Sequence, residues 1–216
     1  MTSVPAFPAF PDTPTARIAA EYVRARVTEP VANHSFRCFF FGMLIAERDG
    51  IQPGSDFDPE LLYLACVLHD VGTSPEARGG QRFELDGADM AAELLTGQGF
   101  GAKEVDLVWE AIALHSTPGI AERRGPIAAL TKGGVGMDFG RAAEIVPEDQ
   151  AAAIHARFPR LRMASSLADE IARHAARAPE NAPPLTIAAE IVRDRAQDPD
   201  GLSGMERMAL ASRWGE

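Results

Sequence analysis

The chain has 216 residues, of which 46% are hydrophobic and 24% charged, as in ordinary globular domains. Its formal net charge of −10 argues against a general polyanion binder, because no excess of basic residues is available to displace counterions from nucleic acid. No apolar run is long enough to span a membrane, and no signal peptide is recognisable. We therefore expect a cytoplasmic protein with neither a nucleic-acid nor a membrane partner.

The first predicted segment is a Pro- and Phe-rich arm over residues 1–14, which its prolines prevent from forming a helix. Its aromatic residues favour an arm packed on the body, with a flexible tail as the alternative. Residues 15–216 are expected to form one helical domain. Its first helix is predicted over 15–27, and its second begins near Val31 and ends at Gly50.

The stretch around which the chain is organised is an apolar helix over 59–68 that delivers an adjacent His69–Asp70 pair at its end. Asp58 is a natural N-cap for this helix. Gly72 is predicted to end it in the left-handed conformation. A His–Asp pair at the end of a buried helix can be a functional site or a core histidine with its hydrogen-bond partner.

Further helices are predicted over 88–95, with Asp86 as the N-cap, then over 103–116 and over 126–132. The glycine-rich stretch 133–136 is interpreted as a turn.

The C-terminal part, residues 147–216, predicts two or three helices, and no β-alternation or internal repeat is present anywhere in the sequence. The chain is therefore predicted to be all-α. Cys38 and Cys66 lie in apolar helical contexts and are expected to be buried thiols rather than a disulfide.

Four potential metal ligands lie near the ends or starts of separate predicted segments: His34, His69, Asp70 and Asp138. Two imidazoles and two carboxylates suit Zn²⁺, Fe²⁺ or Mn²⁺, and the set lacks the thiolates of a structural zinc site. Ligands from such distant segments favour an open catalytic site. Taken singly, His34 would be a helix-surface residue and Asp138 a turn residue.

The order His…His-Asp…Asp on an all-α chain resembles the HD-domain superfamily of metal-dependent hydrolases, over about residues 31–140. Longer strings resemble its cyanamide hydratase-like branch: NHSFR at 33–37, RFELDGAD at 82–89, VWEAIALH at 108–115 and GMD at 136–138. The resemblance implies a helical bundle with a metal site at its centre. It also implies a lyase that adds water to a small C≡N group, converting cyanamide to urea, with one divalent metal ion, Zn²⁺ before Fe²⁺ or Mn²⁺.

The chain departs from the two-metal members of the superfamily at two positions. Phe83 stands four residues before Gly87, where those members carry a further histidine, and Ser116 follows His115 where a His-His pair is common. The departure favours one metal ion and disfavours a di-iron oxygenase.

The resemblance assigns the ligand role to the four residues above, and Asp70 is also expected to orient the attacking water. His115 is predicted to be a catalytic proton shuttle, because an unligated imidazole titrates near neutral pH; its alternative role is a helix-end cation. Phe83, Thr117 and Lys132 are predicted substrate contacts. For Lys132 the alternative is a solvated helix-end charge.

Two other functions stay open from the sequence. An HD-type phosphohydrolase acting on a nucleotide or small phosphomonoester would draw its cations from Arg78, Arg82, Lys132 and Arg123-Arg124, although these form no recognisable phosphate motif. A degenerate domain used for binding or regulation would have lost its ligands, and here they persist. The expected partner is a small-molecule substrate, and the apolar arm would suit a homodimer.

Overall fold

A computed structural model describes residues 8–199 and 201–215 of the chain. Over these residues the chain forms ten α-helices and no β-strand, which confirms the all-α prediction. The helices are α1 (Pro14–Arg24), α2 (Glu29–Asp49), α3 (Pro59–Leu68), α4 (Phe83–Gly97), α5 (Ala102–Leu114), α6 (Pro126–Asp138), α7 (Glu148–Arg157), α8 (Met163–Ala175), α9 (Ile187–Gln197) and α10 (Gly204–Leu210). None of these described helices has the length and apolar character required to cross a membrane.

The longest helix, α2, lies at the centre of the bundle and packs most extensively along α6, with α3 on another side. Gly50 ends α2 with a left-handed φ of 69°, as predicted. Asp58 caps α3 by accepting a hydrogen bond from the Glu60 amide at 2.8 Å. These local signals place the two helices that carry the first three candidate ligands.

The glycine-rich stretch that follows Lys132 belongs to α6, so its interpretation as a turn is wrong. A Cβ added at Gly134 would lie 2.2 Å from the backbone oxygen of Cys38 on α2. The glycine is therefore required by the close approach of the two helices rather than by a turn. Its effect is to let α6 continue as far as Asp138, which reaches the centre of the bundle.

Gly72 also differs from its prediction, because it lies in a short 3₁₀ turn, Val71–Thr73, and does not have a positive φ. A Cβ there would lie 1.9 Å from the oxygen of Phe83 and 2.4 Å from the nitrogen of Gly87. The residue is glycine because α4 packs directly on the turn that follows His69–Asp70.

The start of α4 was predicted too late, since the helix begins at Phe83 and Asp86 lies inside its first turn. The Asp86 carboxylate does not cap the helix. It accepts hydrogen bonds from the Gly79 amide, the Gln81 side chain and His174 Nε2, the last at 2.8 Å. Asp86 therefore joins α4 to α8 and to the preceding loop.

At the N-terminus, Phe10 packs among aromatic rings, with its centroid 4.9 Å from that of Phe40 and 5.0 Å from that of Tyr63. Residues 1–7 of the predicted arm lie outside the described residues. At the other end, the described residues beyond 147 form four helices rather than two or three. The short α10 was missed; Ser203 starts it with a capping box. Both cysteines are buried and free, as expected.

We expect Gly134→Ala to lower the free energy of unfolding by about 1–3 kcal/mol, because the added methyl group meets backbone that cannot move aside locally. Gly97→Ala is the matched control, since nothing lies within 4 Å of its added Cβ. That change is expected to be neutral or to stabilise by up to about 1 kcal/mol. Urea unfolding of both variants checks the prediction, and equal stabilities would contradict it.

Candidate metal centre

Five buried polar side chains meet at the centre of the bundle, none more than 4% exposed. They come from four separate segments: α2 supplies His34, the end of α3 supplies His69 and Asp70, the end of α5 supplies His115, and the end of α6 supplies Asp138. Side chains that are 104 positions apart in sequence are thereby brought into hydrogen-bond contact, as for His34 and Asp138.

The Asp70 carboxylate lies between three imidazole rings. Its Oδ2 is 3.0 Å from Nε2 of His69 and 3.7 Å from Nε2 of His34, and its Oδ1 is 3.7 Å from Nε2 of His115. The ring centroids of His34 and His69 are 5.1 Å apart, and those of His69 and His115 are 4.8 Å apart. The three Nε2 atoms therefore converge on one carboxylate.

Two of these rings are held in the same way by the helix that presents them. His69 Nδ1 donates to the backbone oxygen of Cys66 at 2.7 Å, and His115 Nδ1 donates to that of Ile112 at 2.7 Å. Because a carbonyl oxygen only accepts, each Nδ1 carries its proton, and the Nε2 lone pair faces Asp70. This is the orientation that histidine adopts as a metal ligand.

The third ring, His34, is oriented by a carboxylate. Its Nδ1 lies 2.6 Å from Asp138 Oδ2. Arg37 donates to both oxygens of Asp138, from Nε and Nη2 at 2.7 Å each, and Arg160 adds a contact at 3.1 Å. Both oxygens of Asp138 are thus engaged, so one contact has to be exchanged if Asp138 is to bind metal. Its role as a fourth ligand stays a prediction.

The buried cluster contains two polar atoms with no hydrogen-bond partner, His69 Nε2 and Asp70 Oδ2. Leaving such atoms unsatisfied costs about 1–3 kcal/mol each, so their persistence in the interior requires an explanation. A divalent cation between an imidazole nitrogen and a carboxylate oxygen satisfies both atoms. The donor set at this centre therefore fits a metal ion.

Among the described residues, two triads have potential ligand atoms that lie within 4.8 Å of one another: His69–Asp70–His115 and His34–Cys38–His69. Burial raises the pKa of the Cys38 thiol well above its usual value, which keeps the sulfur protonated and a poor ligand. The first triad includes His115, which the sequence predicts as a non-ligand. The metal content of the His115→Ala variant distinguishes a ligand role from a non-ligand role.

The charges in the cluster depend on the balance of burial and neighbours. Burial opposes ionisation of Asp70, but His69, His115 and His34 together hold its pKa well below the usual range. Burial and the neighbouring His69 lower the pKa of His115 to about 4. The pKa of His115 therefore lies below the near-neutral value on which its predicted role was based, and its imidazole is neutral at pH 7 with an unprotonated Nε2. Its role as a proton shuttle stays a prediction.

A cavity of about 540 Å³ borders the cluster. The predicted substrate contacts Phe83, Thr117 and Lys132 all line its wall, together with His34, His69, Asp70 and His115, whereas Asp138 does not. Their contact with a substrate stays a prediction.

Sequence reasoning missed the outer wall of this cavity, which comes from the three helices α8, α9 and α10. Its apolar residues are Leu167, Ile171, Ile187, Ile191, Met205 and Met208. Arg141, also missed, lines the cavity beside Lys132. No local motif marks these residues, and only the packing of distant helices reveals them.

Arg37 is fully buried and balances the equally buried Asp138. Burial would raise the pKa of Asp138, but Arg37 and His34 lower it well below the usual range, so the carboxylate is ionised.

We expect Arg37→Met to destabilise the protein by about 3–5 kcal/mol, because it leaves a buried charge without its partner. Arg48→Met, which breaks an exposed pair with Asp49, should cost about 0–1 kcal/mol. Urea unfolding measures both, and similar losses would contradict the expectation.

Comparison with known proteins agrees with this arrangement. A family model described as "HD domain" matches residues 31–199. Two proteins of Saccharomyces cerevisiae, cyanamide hydratases DDI2 and DDI3, are each 33% identical over 177 residues, which covers 78% of this chain and 76% of the yeast protein. An uncharacterised protein of Clostridium beijerinckii is 23% identical over 82 residues, covering 38% of this chain and 52% of that protein.

Proposed function

The chain belongs to the HD-domain family, in its cyanamide hydratase-like branch, and from this membership we propose that it hydrates a C≡N group, converting cyanamide to urea or a related small nitrile to its amide. Members of the family are metal-dependent enzymes. The observation that carries the proposal is the convergence of three imidazole Nε2 atoms on the carboxylate of Asp70, whose Oδ2 has no hydrogen-bond partner.

His34, His69 and Asp70 would hold the metal, with Asp138 as the fourth predicted ligand. When bound, a Zn²⁺ ion supplies Lewis acidity to a C≡N nitrogen and lowers the pKa of water to about 7. Fe²⁺ and Mn²⁺ suit the same nitrogen and oxygen donors. Zn²⁺ is the proposed ion because no redox step is required for hydration.

Hydration forms a carbon–oxygen double bond, lowers the carbon–nitrogen bond order from three to one, and moves both protons of the water from oxygen to nitrogen. Asp70 would hold the ion through Oδ2, and its other carboxylate oxygen, Oδ1, on the side of His115, would accept a hydrogen bond from the attacking water and orient it. His115 would take a proton at its neutral Nε2 and return it to the substrate nitrogen. Its fixed tautomer leaves Nε2 available for both transfers.

The phosphohydrolase alternative has less support from the cavity. Among the cations that it would use, Arg78 pairs with Glu93 and Arg124 pairs with Glu110, both outside the cavity wall. Arg82 lines the cavity, but its charge is balanced by Glu84. Of the cations named for this function, Lys132 is left: it lines the cavity and has no ion-pair partner among the described residues, so a developing phosphate charge would depend on this single side chain.

Metal analysis and two product assays on the purified protein test the proposal. We expect about one divalent metal ion per chain and urea release from cyanamide, with no phosphate release from nucleotides. Phosphate release without urea would overturn the proposal in favour of the phosphohydrolase. A folded, metal-free protein with neither activity would instead favour a binding or regulatory domain.

A further inference from the structure

The cavity over the metal centre is far larger than cyanamide requires. Its volume of about 540 Å³ equals roughly 18 water molecules at about 30 Å³ each, whereas cyanamide is little larger than water. Pockets of about 300–1,000 Å³ are typical of sites that enclose drug-sized ligands. A substrate as small as cyanamide would leave most of this space to water.

The wall that α8, α9 and α10 contribute is predominantly apolar, with Glu190 of α9 as its one carboxylate among the lining residues. α8 contributes Ile171, α9 contributes Ile191, and α10 contributes Met205 and Met208. Burying apolar ligand surface here contributes about 25 cal/mol for each Å² removed from water. The outer wall therefore fits a hydrocarbon body attached to the reacting group.

Leu185 lines the mouth of the same cavity and is unusually placed. Its side chain is 100% exposed, and its backbone has a left-handed φ of 67°. A bulky residue rarely adopts this conformation, and a fully exposed leucine gains nothing from burial in the protein itself. The Leu185 side chain could pack against an apolar ligand bound in the cavity.

Two cationic side chains on the wall have no acidic partner. Among the described residues, no carboxylate lies within ion-pair distance of Lys132 or Arg141, and neither forms a side-chain hydrogen bond. Burial and the nearby Arg141 lower the pKa of Lys132, and the more distant carboxylate of Glu122 opposes this shift without reversing it. Lys132 precedes Asp138 by six residues on α6, about 9 Å of helix rise.

We propose that the substrate is an elongated cyano compound: a C≡N group at the metal centre, an apolar body against α8–α10, and an anionic group that reaches Lys132 and Arg141. This inference rests on the proposed hydratase function and specifies the class of substrate. Cyanamide would then be accepted only as the smallest compound that carries the reacting group.

The test compares kcat/KM for three compounds: cyanamide, hexanenitrile and 5-cyanopentanoate, the last two matched in length and differing in a terminal carboxylate. We expect 5-cyanopentanoate to exceed hexanenitrile by about 10-fold or more, and hexanenitrile to exceed cyanamide. A tenfold preference corresponds to about 1.4 kcal/mol. In parallel, calorimetry with the product amide, 5-carbamoylpentanoate, measures binding without turnover.

In Arg141→Met and Lys132→Met the ratio of kcat/KM for 5-cyanopentanoate over hexanenitrile should fall towards one, and binding of 5-carbamoylpentanoate should weaken about 10-fold. Lys103→Met removes an exposed charge outside the cavity and should leave that ratio unchanged. Hydration of cyanamide without hydration of either nitrile would overturn this inference and leave the proposed function standing. Hydration of none of the three compounds would overturn both this inference and the proposed function. Equal kcat/KM for 5-cyanopentanoate and hexanenitrile in the unmodified protein would show that the substrate carries no anionic group.

Discussion

His69→Ala is expected to leave the purified protein without bound metal and without detectable hydration of cyanamide. Among the proposed ligands, His69 has the shortest contact to Asp70, at 3.0 Å, and its Nε2 has no hydrogen-bond partner. Removing it leaves the proposed site with fewer donors, and ligand number largely decides whether such a site retains metal. Elemental analysis of the dialysed variant measures the loss directly.

His155→Ala is the matched control for that experiment. His155 also bonds a backbone oxygen of its own helix through Nδ1, that of Ala151 at 2.9 Å, and its Nε2 is also buried without a hydrogen bond. It does not line the cavity, so its loss should leave the metal content unchanged. Circular dichroism confirms that both variants keep their helices. Full metal content in His69→Ala would show that the ion binds elsewhere.

His115→Ala is expected to keep its metal and to lose turnover by about 10²–10⁴-fold, the range that a positioned proton-transfer group contributes. His115 Nε2 is 3.7 Å from Asp70 Oδ1, and the ring lies at the cavity wall, 5.8 Å from that of Phe83. A neutral imidazole there can move protons between water and substrate nitrogen without holding the ion.

The metal content of His115→Ala separates two roles. His69, Asp70 and His115 form one of the two triads whose ligand atoms lie within 4.8 Å, so a ligand role for His115 is geometrically open. Loss of metal together with turnover would assign His115 to the ligand set. Retained metal with retained turnover would show that the ring serves neither role.

The centre could be predicted from the sequence because its strongest signals are local. An Asp-Pro start and an apolar run are sufficient to predict α3. The adjacent His69–Asp70 pair must then lie directly after the C-terminal end of that helix. The order of the remaining candidate ligands along the chain indicated the HD-domain family. The roles of Gly72 and Gly134 could not be predicted, because what each glycine permits is the approach of a helix distant in sequence.

The environment of the centre depends on contacts that no local pattern encodes. Arg160 reaches Asp138 from the loop before α8, and the neutral state of His115 follows from complete burial beside His69. The cavity wall is shared by helices that begin 25 or more residues beyond Asp138. The size of the cavity, on which the proposed class of substrate depends, becomes visible only when those helices are packed.

Crystals grown with Zn²⁺ and measured at the zinc absorption edge test the central claim most directly. The arrangement predicts one anomalous peak per chain among Nε2 of His34, Nε2 of His69 and the carboxylate of Asp70. No peak at that position, or a peak only at the protein surface, would contradict it.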